Sequence, residues 1–106
     1  VLVFDEVDAN VGGETAHAVG EKMSRIAAQR QVLCITHLAP VAVWASHHYL
    51  VTKQTRSGRT ISEIHRLDER ERVTEVARML GGQSDAARNH AEALLQRQRL
   101  SRAQGT

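Results

Sequence analysis

The sequence predicts an α/β fold: parallel strands joined by a crossover helix, then a β-hairpin, then C-terminal helices. Three observations carry this. Val1-Leu2-Val3-Phe4 is apolar without alternation, the pattern of a strand covered on both faces in a parallel sheet. A second apolar run at residues 32–36 follows a stretch of helical periodicity, which makes a βαβ unit and hence a parallel pair. Two β-rich runs, residues 49–54 and 60–67, then flank a Gly-containing loop, as in an antiparallel hairpin.

In the first connection, residues 8–13 form a turn whose two glycines admit backbone angles that other residues resist. Residues 14–29 carry Ala16, Val19, Met23, Ile26 and Ala27 along one helical face, with Glu14 and Arg30 suited to the helix dipole. Gly20 costs roughly 1 kcal/mol relative to Ala inside a helix, so a close approach to the sheet is expected there. Pro40 suits the first position of a short helix through Ser46 that buries Val43 or Trp44. Asp68 and Glu71 form a capping box ahead of Val73, Val76, Ala77 and Leu80, and Gly81-Gly82 ends that helix. Ser84 caps a last helix to about Leu100, with Ala87, Ala91, Leu94 and Leu95 on one face and a frayed tail at residues 101–106.

At 106 residues the chain holds at most one domain. It lacks an initiator methionine and starts inside a strand, so it reads as a piece of something longer that leans on a missing lobe. The net charge of +2 is mildly basic, compatible with nucleic acid but not diagnostic of it. Cys34 is alone, which excludes a disulfide or multi-cysteine zinc framework within the chain and fits a reducing cytoplasm. No apolar run is long enough to cross a bilayer, so no membrane association is expected.

The chemistry concentrates where the first strand ends. Asp5-Glu6 follows the apolar run directly, and the carboxyl end of a strand is where open α/β sheets bind ligands. Such a pair suits nucleotide hydrolysis, one carboxylate holding Mg2+ through its water shell and the next polarising the attacking water. The plain alternative is a buried strand stopping at two solvated acids. His47-His48 lacks an acidic or cysteine partner at zinc spacing and reads as a solvated pair, Cys34 as a small core residue, and residues 68–72 as a solvated helix start. Lys53, Arg56, Arg59 and Arg66, with Arg97, Arg99 and Arg102, are cations that DNA phosphates could meet, although aromatics are few and no groove-reading motif is present.

Taken together, DEVDANVGG at residues 5–13, VGEKMSRIAAQRQVLCITHLAPVAVWASHHYLVTK and RVTEVARMLGG resemble the C-terminal half of an ABC-type (P-loop NTPase) ATPase head, in particular the bacterial DNA-repair branch related to the SMC proteins. The resemblance covers residues 1 to about 95 and implies that residues 1–106 form the C-terminal lobe of such a head. It implies ATP and Mg2+ as cofactors, Asp5 as the Walker B aspartate on the metal's water shell, Glu6 as the catalytic glutamate and His37 as the switch histidine at the γ-phosphate. Residues 8–13 then correspond to the D-loop, with Asp8, Asn10, Gly12 and Gly13 near the nucleotide and the dimer interface. Asn10 stands where this branch more often has Gly, and Ala39-Pro40 replaces its usual Pro-Gln.

The phosphate cradle Gly-x-x-x-x-Gly-Lys-Ser/Thr and the Ser-Gly-Gly signature are missing from the chain. The resemblance places both, with a long coiled coil, upstream, so the chain by itself is expected to be inactive. Its implied partners are the N-terminal lobe of the same head, a second head in a nucleotide-sandwiched homodimer, and DNA at double-strand-break ends, with a cytoplasmic, nucleoid-associated location. The rival readings are the ATPase subunit of an ABC transporter and a non-catalytic DNA-binding or scaffolding module.

Overall fold

The computed structural model describes residues 1–5, 12–82 and 84–104. In chain order the elements are β1 (Leu2–Asp5), α1 (Gly13–Ala27), β2 (Val32–Ile35), α2 (Ala39–Ala42), β3 (Tyr49–Arg56), β4 (Arg59–Arg66), α3 (Glu69–Met79) and α4 (Asp85–Gln104). β1 pairs with β2 in parallel, Leu2 opposite Val32 through Asp5 opposite Ile35, and β3 pairs antiparallel with β4. The predicted α/β order is therefore present.

The parallel pair is covered on one face only, contrary to the expectation from its unbroken apolar run. Phe4 and Cys34 pack with Val19 and Leu38 against buried Ala16, Met23 and Val41. The alternate residues Val3, Leu33 and Ile35 face outward and are 61%, 52% and 49% exposed.

A second core lies between α2, α3 and α4. Ala39, Val43, Trp44, Val76, Ala77, Ala91 and Leu95 form it, so α2 and its exit turn bury both Val43 and Trp44. α3 begins as predicted: the Glu71 N–H donates to Asp68 Oδ1 at 2.7 Å and the Asp68 N–H to Glu71 Oε1 at 3.0 Å. That backbone donor and His65 hold the Glu71 carboxyl below its usual pKa. α3 ends with Gly81 at φ 115°, the Gly81 N–H donating to Arg78 O and the Gly82 N–H to Ala77 O, the paired bonds of a Schellman turn. Ser84 Oγ accepts from the Ala87 N–H at 3.1 Å and caps α4. α4 continues to Gln104, so the segment expected to fray from residue 101 is still helical.

Two further expectations need correction. The hairpin connection is not five residues but two, Ser57-Gly58, with φ of 51° and 77°. Positive φ at both positions is the turn geometry whose twist matches the flanking strands. Gly20 permits a close approach to α2 and its exit, not to the sheet: a Cβ there would lie 2.5 Å from Trp44 Cδ1 and 3.1 Å from both Pro40 O and Val41 Cα.

Candidate functional site

The two parallel strands end level, because Asp5 is the register partner of Ile35. Asp5 is exposed at the carboxyl end of β1, and His37 is exposed two residues beyond the end of β2. The alternation along the second strand runs on through half-covered Thr36 to exposed His37. Asp5 and His37 therefore share one edge of the sheet, the edge at which open α/β sheets receive ligands. Thr36 Oγ1 accepts from the Leu38 N–H at 3.0 Å and fixes the turn that carries the chain past His37 into α2. Pro40 in the first turn of α2 then directs the chain back over α1.

Glu6, Asp8 and Asn10, the remaining predicted carboxylates and amide, lie outside the described residues. Gly12 is the N-cap of α1, exposed, and its carbonyl accepts from the Ala16 N–H at 2.8 Å. Gly13 is the first residue of that helix. Gly12 has φ −76° and ψ 170°, which any residue adopts, and a Cβ there would meet nothing within 4 Å. The left-handed angles expected of Gly12 are thus not used. Among the described residues no three His, Cys, Asp or Glu side chains gather to hold a metal.

Other residues behave differently from their sequence reading. Arg72, read as part of a solvated helix start, donates through Nη2 to the carbonyls of Ala42, Val43 and Ala45 at 3.2, 3.3 and 2.7 Å. It satisfies the orphan carbonyls where α2 ends and so braces the segment that leaves the candidate edge. The signal was its position on α3 one residue before Val73, beside the apolar face. Of the pair read as solvated, His48 is partly buried, its Nδ1 has no hydrogen-bond partner, and burial with the nearby Arg72 charge holds its pKa below 6.5. His47 Nδ1 accepts from Arg66 at 3.0 Å. On α1, His17 Nδ1 accepts from Trp44 Nε1 at 3.4 Å, with the ring centroids 5.1 Å apart.

A parallel strand pair with level carboxyl ends, a crossover helix on one face, a following hairpin and C-terminal helices make this a mixed α/β fold. A solved structure from work on the ATP-driven dimerization and DNA-stimulated activation of SMC ATPases shares this fold with a TM-score of 0.59 at 17% identity, over 77% of this chain and 48% of that one. The sequence is similar to one segment of the DNA repair protein RecN: 55% identical over 95 residues in Deinococcus radiodurans, 41% over 96 in Bacillus subtilis and 45% over 102 in Streptomyces coelicolor. These matches cover 89%, 89% and 94% of this chain, which spans only 17%, 17% and 18% of the respective relatives. No family model matches the chain. The expected likeness to a DNA-repair branch of the SMC-related ATPases is thereby borne out, and RecN is the protein that it resembles.

Proposed function

We propose that this chain is the C-terminal lobe of a RecN-like ATPase head, part of a DNA-repair protein that hydrolyses ATP, engages two heads through sandwiched nucleotides and acts at double-strand breaks. The observation that carries the reading is the shared edge at which Asp5 and His37 stand exposed on level strand ends. The bare side of the β1–β2 pair, with Val1, Val3, Leu33 and Ile35 outward, supports a further layer there, supplied by the N-terminal lobe of the same head. No helix among the described residues is long and apolar enough to cross a membrane, and the hairpin after His37 favours this reading over a transporter subunit. A cytoplasmic, nucleoid-associated location follows from the same reading.

In this site Asp5 is a hard oxygen donor reaching outward from the strand end, which fits Mg2+, a cation that keeps most of its water shell. Bound with ATP, the ion would neutralise charge on the phosphates. Glu6 would orient or deprotonate the attacking water, and His37 would donate a hydrogen bond to the γ-phosphate and report its presence. Asp8 and Asn10, with Gly12 and Gly13 at the start of α1, are assigned to the coupling of this site to the second head. Glu6→Gln in the intact protein is expected to bind ATP while turnover drops about 10²- to 10⁴-fold, the usual cost of losing a general base. Turnover close to that of the parent would remove Glu6 from the mechanism and leave the scaffolding alternative standing.

A further inference from the structure

Beyond the site lies an arm. β3 and β4 are eight residues each, and of their sixteen residues only Leu50 is even partly covered. At roughly 3.3 Å per residue such a ribbon reaches about 26 Å. It is tied at its base, where the Leu67 N–H donates to His48 O at 2.9 Å and His65 Nε2 meets Glu71 Oε2 at 3.0 Å.

Charge is distributed unevenly along it. The proximal cation, Arg66, is engaged with His47. The distal half, residues 53–62, holds Lys53, Arg56 and Arg59 and no carboxylate. Arg56 and Arg59 are direct cross-strand partners at the last rung before the Ser57-Gly58 turn. Like charges opposed in this way cost stability, so the arrangement does not serve the hairpin's own folding. Three arginines on the body, by contrast, meet carboxylates: Arg25 with Glu21, Arg78 with Glu75 and Arg99 with Glu69. Among the described residues, none of the three distal cations is in an ion pair with a carboxylate within 4.0 Å. Thr52, Gln54, Thr55, Thr60 and Ser62 surround them with uncharged hydrogen-bonding groups.

Arginine, lysine, Ser/Thr and Gln are the side chains that meet phosphate oxygens, and a two-stranded ribbon is narrow enough to lie in the major groove of duplex DNA. We infer that the distal half of the hairpin seats on the sugar–phosphate backbone of duplex DNA, Arg56 and Arg59 contacting phosphates without reading sequence. This rests on the DNA-repair reading above and names the surface through which it would act.

The test is the salt dependence of duplex binding by the intact protein, read by fluorescence anisotropy on two unrelated sequences. Each lost phosphate contact reduces the slope of log K against log salt by about 0.9, so Arg56→Gln/Arg59→Gln should lower it by about 2 on both duplexes. Arg56→Lys/Arg59→Lys keeps the charge and should keep the slope. Arg30→Gln/Arg70→Gln, an equal loss of charge elsewhere on the surface, should also leave the slope unchanged. An unchanged slope in the Gln pair, or an equal drop in the Arg30/Arg70 control, overturns the arm as the contact surface while DNA binding itself stands. If the parent protein fails to bind duplex DNA at all, the DNA-repair reading falls and this inference with it.

Discussion

The two sides of the molecule use the same kinds of aliphatic residue to opposite effect. On the helical side, Val43, Val76, Ala77 and Ala91 are fully buried and Trp44 is 5% exposed. On the outward side of the strand pair, Val1, Val3, Leu33 and Ile35 are between 49% and 83% exposed. Hydrophobicity therefore does not distinguish them; partners do. The helices α3 and α4 close a core with α2, whereas β1 and β2 bury one face and expose the other. Stability thus resides on one side and the candidate chemistry stands at the edge of the other.

The comparison breaks most visibly at Trp44. Its ring packs in the helical core and bonds to His17 on α1, so it joins the two clusters. Trp44→Ala should cost about 3–5 kcal/mol, the usual range for a buried aromatic, read from the urea midpoint of the chain. A loss below about 1 kcal/mol would mean that α2 is not the hinge between the clusters.

Gly20→Ala sets two effects against each other. Alanine gains roughly 1 kcal/mol of helix propensity over glycine, while overpacking typically costs about 1–3 kcal/mol. Here the added Cβ meets the indole at 2.5 Å and backbone at 3.1 Å, with no flexible side-chain end to give way. Sterics should win, with a net loss on the order of 1 kcal/mol. A net gain would show that α1 and α2 stand farther apart than described.

How much of this was legible follows the same division. Local rules were enough for the parallel pair, the Asp68–Glu71 capping box, the Ser84 cap and the glycine stop after α3, because each depends on a few adjacent residues. The shared edge of Asp5 and His37 was legible for a related reason: in a βαβ unit the carboxyl ends of both strands point the same way. What failed needed a partner distant in sequence. Gly20 reads as a glycine that allows close approach, but not to what; Arg72 reads as a solvated charge until the carbonyls of α2 arrive beside it. The hairpin turn was misjudged at Thr55, Arg56 and Arg59, read as loop although they pair across the strands, because a serine at φ 51° is an uncommon occupant of a two-residue turn. Glu6, Asp8 and Asn10 lie outside the described residues, so their roles rest on sequence resemblance alone.

The smallest effect sharpens the comparison furthest. Leu33 points outward from β2 and is 52% exposed, with Val3 as its register partner. In the 106-residue chain, Leu33→Ser should change stability by no more than about 0.5 kcal/mol, as expected of surface positions. If the proposed N-terminal lobe covers this face, the same substitution in the intact protein should cost about 1.5–3 kcal/mol, the value of a fully buried leucine. Equal, small losses in both settings would leave the outward face uncovered in the whole protein. The added layer would then have to be sought elsewhere, and with it the groups that complete the edge at Asp5 and His37.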